Sequence, residues 1–336
     1  MGEATNESAP LLSVRGLTKR FPTGTLLGGK RVHAVENASF EVEAGQILAL
    51  VGESGSGKTT TIRMVARLIE PSSGEICLKG QNVLVSEPRG ASLDYRRRVQ
   101  YIFQDPFASL NPVHTIGHHL SRPILIHGGG GEVSRVRRKA EVLERVLALL
   151  ELVELRPAAA IARRYPHQLS GGQRQRVAIA RALAVNPELV LADEPISMLD
   201  VSIRMGVLNL IERLASELRI AFVYITHDLA SARYIGHRIM VMYAGHMVEG
   251  GESEEILAGA AHPYTQLLLS AVPDPRSGLR TERSVPARGE LPSLIDPAPG
   301  CPFASRCPRV MPVCRESMPP VTVIAPDHWL RCHLYS

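Results

Sequence analysis

The chain has 336 residues, with 38 Lys+Arg against 33 Asp+Glu and 45% hydrophobic residues. That apolar share supports a buried core and excludes global disorder, and the length suits one large structural unit with an appendage. The formal charge of +5 is small, Arg outnumbers Lys 33 to 5 without forming a basic run, and no stretch approaches a membrane span of ~18–20 apolar residues. The N-terminal stretch MGEATNESAPLLSV lacks the order of a secretory signal, and Asn6 stands where myristoylation needs Ser or Thr. A cytoplasmic protein is expected, with any membrane role supplied through a partner.

In chain order, residues 11–80 read as short strands joined by turns: LLSVRGL, VHAVENASFEVEAG, QILALVG and GEICLKG. The alternation Ala38-Ser39-Phe40-Glu41-Val42-Glu43 predicts a half-exposed antiparallel strand. The continuous run Ile47-Leu48-Ala49-Leu50-Val51 instead predicts a parallel strand buried on both faces. A helix is expected from about Lys58 to Ile69, stopped by Pro71 and Gly74. Gly128–Gly131 reads as a flexible loop, and the apolar spacing in EVLERVLALLELVEL (141–155) predicts a second helix. Two more buried strands follow. Leu189-Val190-Leu191-Ala192 precedes the pair Asp193-Glu194, and Ala221-Phe222-Val223-Tyr224-Ile225 precedes Thr226-His227-Asp228. Buried strands alternating with helices predict an α/β fold with a mostly parallel sheet. From about Pro273 the composition turns to Pro, Arg and Ser, with too few apolar residues for a large core.

Gly52-Glu53-Ser54-Gly55-Ser56-Gly57-Lys58-Thr59 fits G-x-x-x-x-G-K-[ST] between a predicted buried strand and a predicted helix. Such a loop can curl its N–H groups inward around phosphate oxygens, helped by the partial positive charge of the helix N-terminus. Lys58 would bridge the β- and γ-phosphates, the Thr59 hydroxyl would ligate Mg²⁺, and Thr60 would join the loop in binding ATP. Asp193, at the end of a buried strand, can hold the magnesium shell, and Glu194 can polarise an attacking water. A second anion-binding helix start, Leu169-Ser170-Gly171-Gly172-Gln173, has little use on the same triphosphate in one chain. Two chains arranged head-to-tail would use both.

With these motifs the sequence resembles the ATP-binding-cassette (ABC) ATPases over roughly residues 11–250. The resemblance implies a P-loop cassette with a RecA-like parallel sheet core, an antiparallel β subdomain and a helical signature subdomain at about 105–180. A short, irregular, Cys-bearing extension over 251–336 would follow the nucleotide-binding domain of 1–250. It also implies that the 169–173 signature contacts ATP held by the opposite subunit. Gln104 matches the Q-loop residue that links Mg²⁺ and water to the helical subdomain. Asp200 matches the D-loop, with Met198 where alanine is more usual, and His227 matches the switch histidine. Phe21 is the expected adenine-stacking aromatic, with His33 as the alternative.

FQDPFASLNP (103–112) and HPYTQLLLSAVP (262–273) are similar to the oligopeptide/dipeptide permease branch, with its nickel and oligosaccharide relatives. YPHQLSGGQRQRVAIARAL and DEPISMLDVSIR agree but recur in other ABC importers. The resemblance implies an ATPase peripheral to the cytoplasmic face of the cell membrane. Its partners would be two transmembrane permease subunits, a second ATPase subunit, the same or different, and an extracytoplasmic binding protein. A soluble ABC ATPase acting on nucleic acid or ribosomes is the alternative. The single phosphate loop and small charge speak against it, so no nucleic acid is expected.

Four of the five cysteines, Cys301, Cys307, Cys314 and Cys332, fall in the last 36 residues as C-x5-C-x6-C-x17-C. An odd count is a poor disulfide framework, and such a cluster points to metal. The spacing lacks the C-x2-C pairs of zinc ribbons and the ferredoxin pattern. Iron–sulfur, zinc (with His328 and His333 as further ligands) and free thiols all stay open on spacing. The resemblance implies a [4Fe–4S] cluster, which some members carry on such cysteines. Cys77, alone in an apparent strand, is expected as a small buried residue.

Overall fold

The computed structural model describes residues 10–23, 29–127, 135–271 and 292–336. The expected glycine loop at Gly128–Gly131 and the start of the Pro-rich segment at Pro273 lie outside them. The chain divides into two compact units, residues 1–90 with 226–336 and residues 91–225.

The first unit opens with β1 (Leu12–Thr23), β2 (Lys30–Val42), β3 (Ile47–Val51), β4 (Ser73–Leu78) and β5 (Gln81–Asn82). Four of these form an antiparallel sheet in the order β2-β1-β4-β5. Along β2 the side chains of Ala38, Phe40 and Val42 are buried while Ser39 and Glu41 face solvent, which is the expected alternation. All five residues of β3 are buried. Cys77, in β4, is only half-buried, against the expectation for it.

The helix after the phosphate loop spans Lys58–Val65, four residues shorter than expected. Ala66 closes it by donating its N–H to the Ile62 and Met64 carbonyls, and Arg67 then turns to φ 55°. Arg67 is fixed in that turn because its guanidinium donates to the Val83 and Glu87 carbonyls, at 2.9 and 2.6 Å.

The second unit holds β6 (Val99–Ile102), β7 (Leu189–Asp193) and β8 (Ala221–Thr226), whose last residue crosses into the first unit. These strands pair in parallel, and β7 and β8 are buried throughout. The helix predicted over 141–155 spans Arg135–Leu152 instead. Two arginines take over its last carbonyls: Arg213 donates to Leu152 O at 2.8 Å and Arg176 to Val153 O at 2.8 Å. Glu154, at φ 61°, accepts from both guanidinium groups.

The chain returns to the first unit with β9 (Arg238–Tyr243), β10 (His246–Glu252), β11 (Thr322–Ala325) and β12 (His328–Leu330). Here the order is β11-β12-β10-β9-β3, with β9 parallel to β3 and the other neighbours antiparallel. The C-terminal extension thus continues a sheet begun by the loop strand. A buried carboxylate pins it there. Glu249 on β10 is 0% exposed and accepts from the N–H groups of Ala261 and His262, at 2.7 and 3.2 Å, and lies 2.8 Å from His328 Nε2.

Candidate functional site

In the first unit, β3 delivers the chain into the glycine loop. Gly55 and Gly57 adopt φ of 78° and 107°, and a Cβ on Gly57 would stand 2.4 Å from the Ala34 carbonyl oxygen. Only glycine fits there, and the helix Lys58–Val65 starts immediately after it, a place suited to an anion. Lys58 is buried inside the loop, where Nζ donates to the carbonyls of Gly52 and Glu53 at 2.7 and 2.8 Å. Ser56 Oγ lies 3.3 Å from the same ammonium.

Phe21 is 37% exposed on β1, with the Lys19 ammonium 5.0 Å from its ring centroid. His33, the alternative base-stacking residue, has Nδ1 2.8 Å from Glu36 Oε1, so its ring is engaged with a carboxylate. His227 is exposed in the turn between β8 and the helix Leu229–Ile235. Asp228 shapes that turn: its N–H donates to Thr226 Oγ1 at 2.9 Å and its side chain caps Ala230 N–H at 2.9 Å.

In the second unit, β7 places Asp193 and Glu194 at its C-terminal end, where parallel sheets present ligand-binding groups. Asp193 is buried, and its Oδ2 accepts from the Tyr101 hydroxyl at 2.7 Å. Tyr101 stands on the neighbouring strand β6 and had no signal of its own beyond adjacency to the Q-loop stretch. Glu194 takes φ 43°, its N–H donating to Ile225 O at 3.1 Å, and its Oε2 accepts from Gln104 Nε2 at 3.2 Å. The structure therefore brings together the two residues expected to orient water.

The helix Gly171–Leu183 begins with a capping box in which Ser170 Oγ accepts from Gln173 N–H at 3.3 Å and Gln173 Oε1 from Ser170 N–H at 3.1 Å. Leu169 is buried, and its carbonyl accepts from Arg174 Nε at 3.0 Å. A Cβ on Gly172 would meet Ile203 Cγ2 at 2.5 Å, so the signature glycine permits close packing on the helix Val201–Leu218. Asp200 stands exposed at the start of that helix.

The four C-terminal cysteines line one cavity of about 10 Å³, and all are free thiols. Cys301 N–H donates to the Cys314 carbonyl at 2.8 Å. Burial pushes the Cys301 thiol up to about 11 and raises Cys307 and Cys332 as well, so these groups hold their protons at neutral pH. Among the described residues no group of three or more His, Cys, Asp or Glu is arranged to hold a metal ion. The expected [4Fe–4S] cluster is therefore unsupported by the arrangement of these thiols. His328 Nε2 lies 2.8 Å from Glu249 Oε1, and His333 Nε2 lies 3.0 Å from the Ser317 carbonyl.

Comparison with known proteins matches two families in series. The family described as "ABC transporter" matches residues 35–197, and "Oligopeptide/dipeptide transporter, C-terminal region" matches residues 248–314. An oligopeptide transport ATP-binding protein of Bacillus subtilis, AppF, is 43% identical over 331 residues, 97% of this chain and 98% of its own. The chain belongs to the ABC transporter ATP-binding subunits. A dipeptide transport ATP-binding protein of Haemophilus influenzae, DppF, is 44% identical over 321 residues, 95% of each chain. The dimeric ATP-binding cassette MJ0796 in a post-hydrolysis state with ADP and Pi superposes with a TM-score of 0.61 at 29% identity, over 72% of this chain and 98% of its own. The ABC cassette fold and ATPase activity follow from membership. No helix of the described residues is long and apolar enough to cross a membrane.

Proposed function

We propose that this subunit hydrolyses ATP to drive import of oligopeptides or dipeptides through two permease subunits. The carrying observation is that cassette and oligopeptide-type C-terminal region occur on one chain that aligns almost end to end with peptide-transport relatives. A second ATPase subunit and an extracytoplasmic binding protein would complete the machine, with this chain at the cytoplasmic face of the membrane.

In this reading the loop 52–59 and Thr60 hold the phosphates, and Lys58 exchanges its bonds to the loop carbonyls for phosphate oxygens. Phe21 stacks on the base. Glu194, oriented by Gln104, accepts the proton of the attacking water, and His227 touches the γ-phosphate. The Asp193 carboxylate and the Thr59 hydroxyl are hard oxygen donors of the kind Mg²⁺ takes and would hold it, and the ion would supply positive charge against the phosphates. The signature 169–173 serves the nucleotide of the opposite subunit and Asp200 lies in the D-loop, so ATP drives head-to-tail closure and hydrolysis reopens the pair.

Co-expression with the membrane and binding-protein genes beside it, followed by reconstitution in vesicles, tests the proposal. Uptake of labelled di- to pentapeptides that needs ATP is expected. ATPase stimulation by a nickel- or oligosaccharide-loaded binding protein, with none by peptide, would reject the peptide assignment. Metal analysis of anaerobically purified protein addresses the cysteines separately. About four irons with absorbance near ~400 nm would establish a cluster on these thiols.

A further inference from the structure

Glu53, the second residue of the phosphate loop, is held from three directions. Its N–H donates to the Tyr264 hydroxyl at 2.9 Å. Its carbonyl accepts from Lys58 Nζ at 2.8 Å and from Ser56 N–H at 3.2 Å. Its carboxylate receives a two-pronged bond from Arg306, Nη1 to Oε2 at 2.8 Å and Nη2 to Oε1 at 3.0 Å.

Arg306 lies in the C-terminal extension, immediately before Cys307 and 253 residues from its partner. Its side chain is 7% exposed, with its guanidinium carbon 5.7 and 5.9 Å from the ring centroids of Tyr243 and Phe303. Nη1 also donates to the Tyr243 hydroxyl at 3.2 Å. The same extension approaches the loop a second time. Pro292 and Leu294 share with Ser54 and Ser56 a cavity of about 150 Å³, and the Leu294 carbonyl accepts from His33 N–H at 2.8 Å.

A carboxylate in a phosphate-binding loop repels the polyphosphate it is meant to serve, and at a partly buried position that repulsion is poorly screened. A planar guanidinium that forks both carboxylate oxygens cancels the charge and fixes the side chain, which a lysine could not do with the same geometry. We propose that Arg306 is a positioning residue of the phosphate loop, neutralising and holding Glu53 so that the C-terminal extension sets the subunit's affinity for nucleotide. The proposal rests on the nucleotide reading of the loop given above. It gives the extension a role in the cassette's own chemistry, independent of any metal.

Nucleotide binding to the full chain, measured by fluorescence titration with a TNP-labelled ATP in the presence of Mg²⁺, provides the test. Wild type that binds while Lys58→Ala does not confirms the loop itself; failure there would reject the nucleotide reading rather than the role of Arg306. With that established, Arg306→Met should weaken binding roughly tenfold, the scale of one partly screened charge. The KM for ATP should rise in step while kcat at saturating ATP changes less than about twofold. The double variant Glu53→Gln with Arg306→Met, which removes both charges, should recover affinity to within about threefold of wild type. Arg306→Lys, which keeps the charge and loses the fork, should fall between wild type and Arg306→Met.

Unchanged affinity in a folded Arg306→Met would overturn the proposal. So would a double variant as weak as the single one, because the loss would then be mechanical rather than electrostatic. If Arg306→Met does not fold, the double variant and Arg306→Lys carry the test between them. A double variant binding tenfold more weakly than Arg306→Lys would overturn it.

Discussion

The phosphate loop and the cysteine-bearing extension belong to one unit, yet they are made in opposite ways. Eight consecutive residues make the loop, and its shape follows from glycines at φ 78° and 107° and from a lysine that bonds back to its own carbonyls. The extension takes its shape from afar: Glu249 gathers Ala261, His262 and His328, and of the strands at 322–330 β12 pairs with β10 and β11 with β12. A locally built site concentrates chemistry in few atoms, so a single change can abolish function while the fold survives. A site built by distant partners spreads its free energy over the fold, so a change there is felt first as stability.

Four substitutions test that contrast. Glu194→Gln should reduce ATP hydrolysis by roughly 10³-fold, read as phosphate release, while ATP binding and the unfolding midpoint hold. Normal hydrolysis would remove Glu194 from the catalytic role. Glu249→Ala leaves two buried N–H groups and His328 without their acceptor and should cost about 3 kcal/mol in urea unfolding. A loss under ~1 kcal/mol would mean the extension is not pinned through this carboxylate.

Gly57→Ala sharpens the boundary between the two classes. Its Cβ would lie 2.4 Å from Ala34 O and 2.6 Å from Met242 Cε, so it should both destabilise, by about 2 kcal/mol, and eliminate nucleotide binding. A variant that still binds ATP would show the loop to be more pliable than its backbone suggests.

The smallest effect is a pH dependence at His262. Its Nδ1 accepts from Tyr264 N–H at 3.0 Å, and burial lowers its pKa from 6.5 to about 4. As pH falls below 6.5 the unfolded chain takes up the proton first, so the stability present above 6.5 is lost toward pH 4. The slope should be on the order of 1 kcal/mol per pH unit. His262→Asn keeps an acceptor for Tyr264 N–H at the start of the helix Pro263–Ser270 and does not titrate there, so its unfolding midpoint should vary less over that range. An unchanged pH profile would assign the acid sensitivity elsewhere.

Residues that act through local backbone geometry were legible in the sequence. The loop 52–59, the helix start after Ser170 and the buried strand before the acids were read from local spacing, and the structure starts helices at Lys58 and Gly171 and ends β7 at Asp193. The Gln104–Glu194 contact was not legible, because 90 residues separate the pair. Tyr101 was missed because nothing about a tyrosine in a short strand announces that a buried carboxylate stands on the next one. The helix expected to reach Ile69 stops at Val65 because Arg67 is drawn away by carbonyls at 83 and 87, partners no local pattern contains.

The cysteines mark the limit from the other side. Their clustering along the chain suggested ligands, and folding does bring all four to one cavity, but among the described residues no three such groups are arranged to hold a metal ion. By itself the sequence determined the nucleotide chemistry, the α/β class and the order of the motifs, since these depend on residues close together along the chain. Tertiary structure alone decided what the extension touches. Arg306 reaches Glu53, and Glu249 gathers its partners, because contacts across 253 and 79 residues are chosen by sheet pairing and burial rather than by any spacing a one-dimensional pattern records.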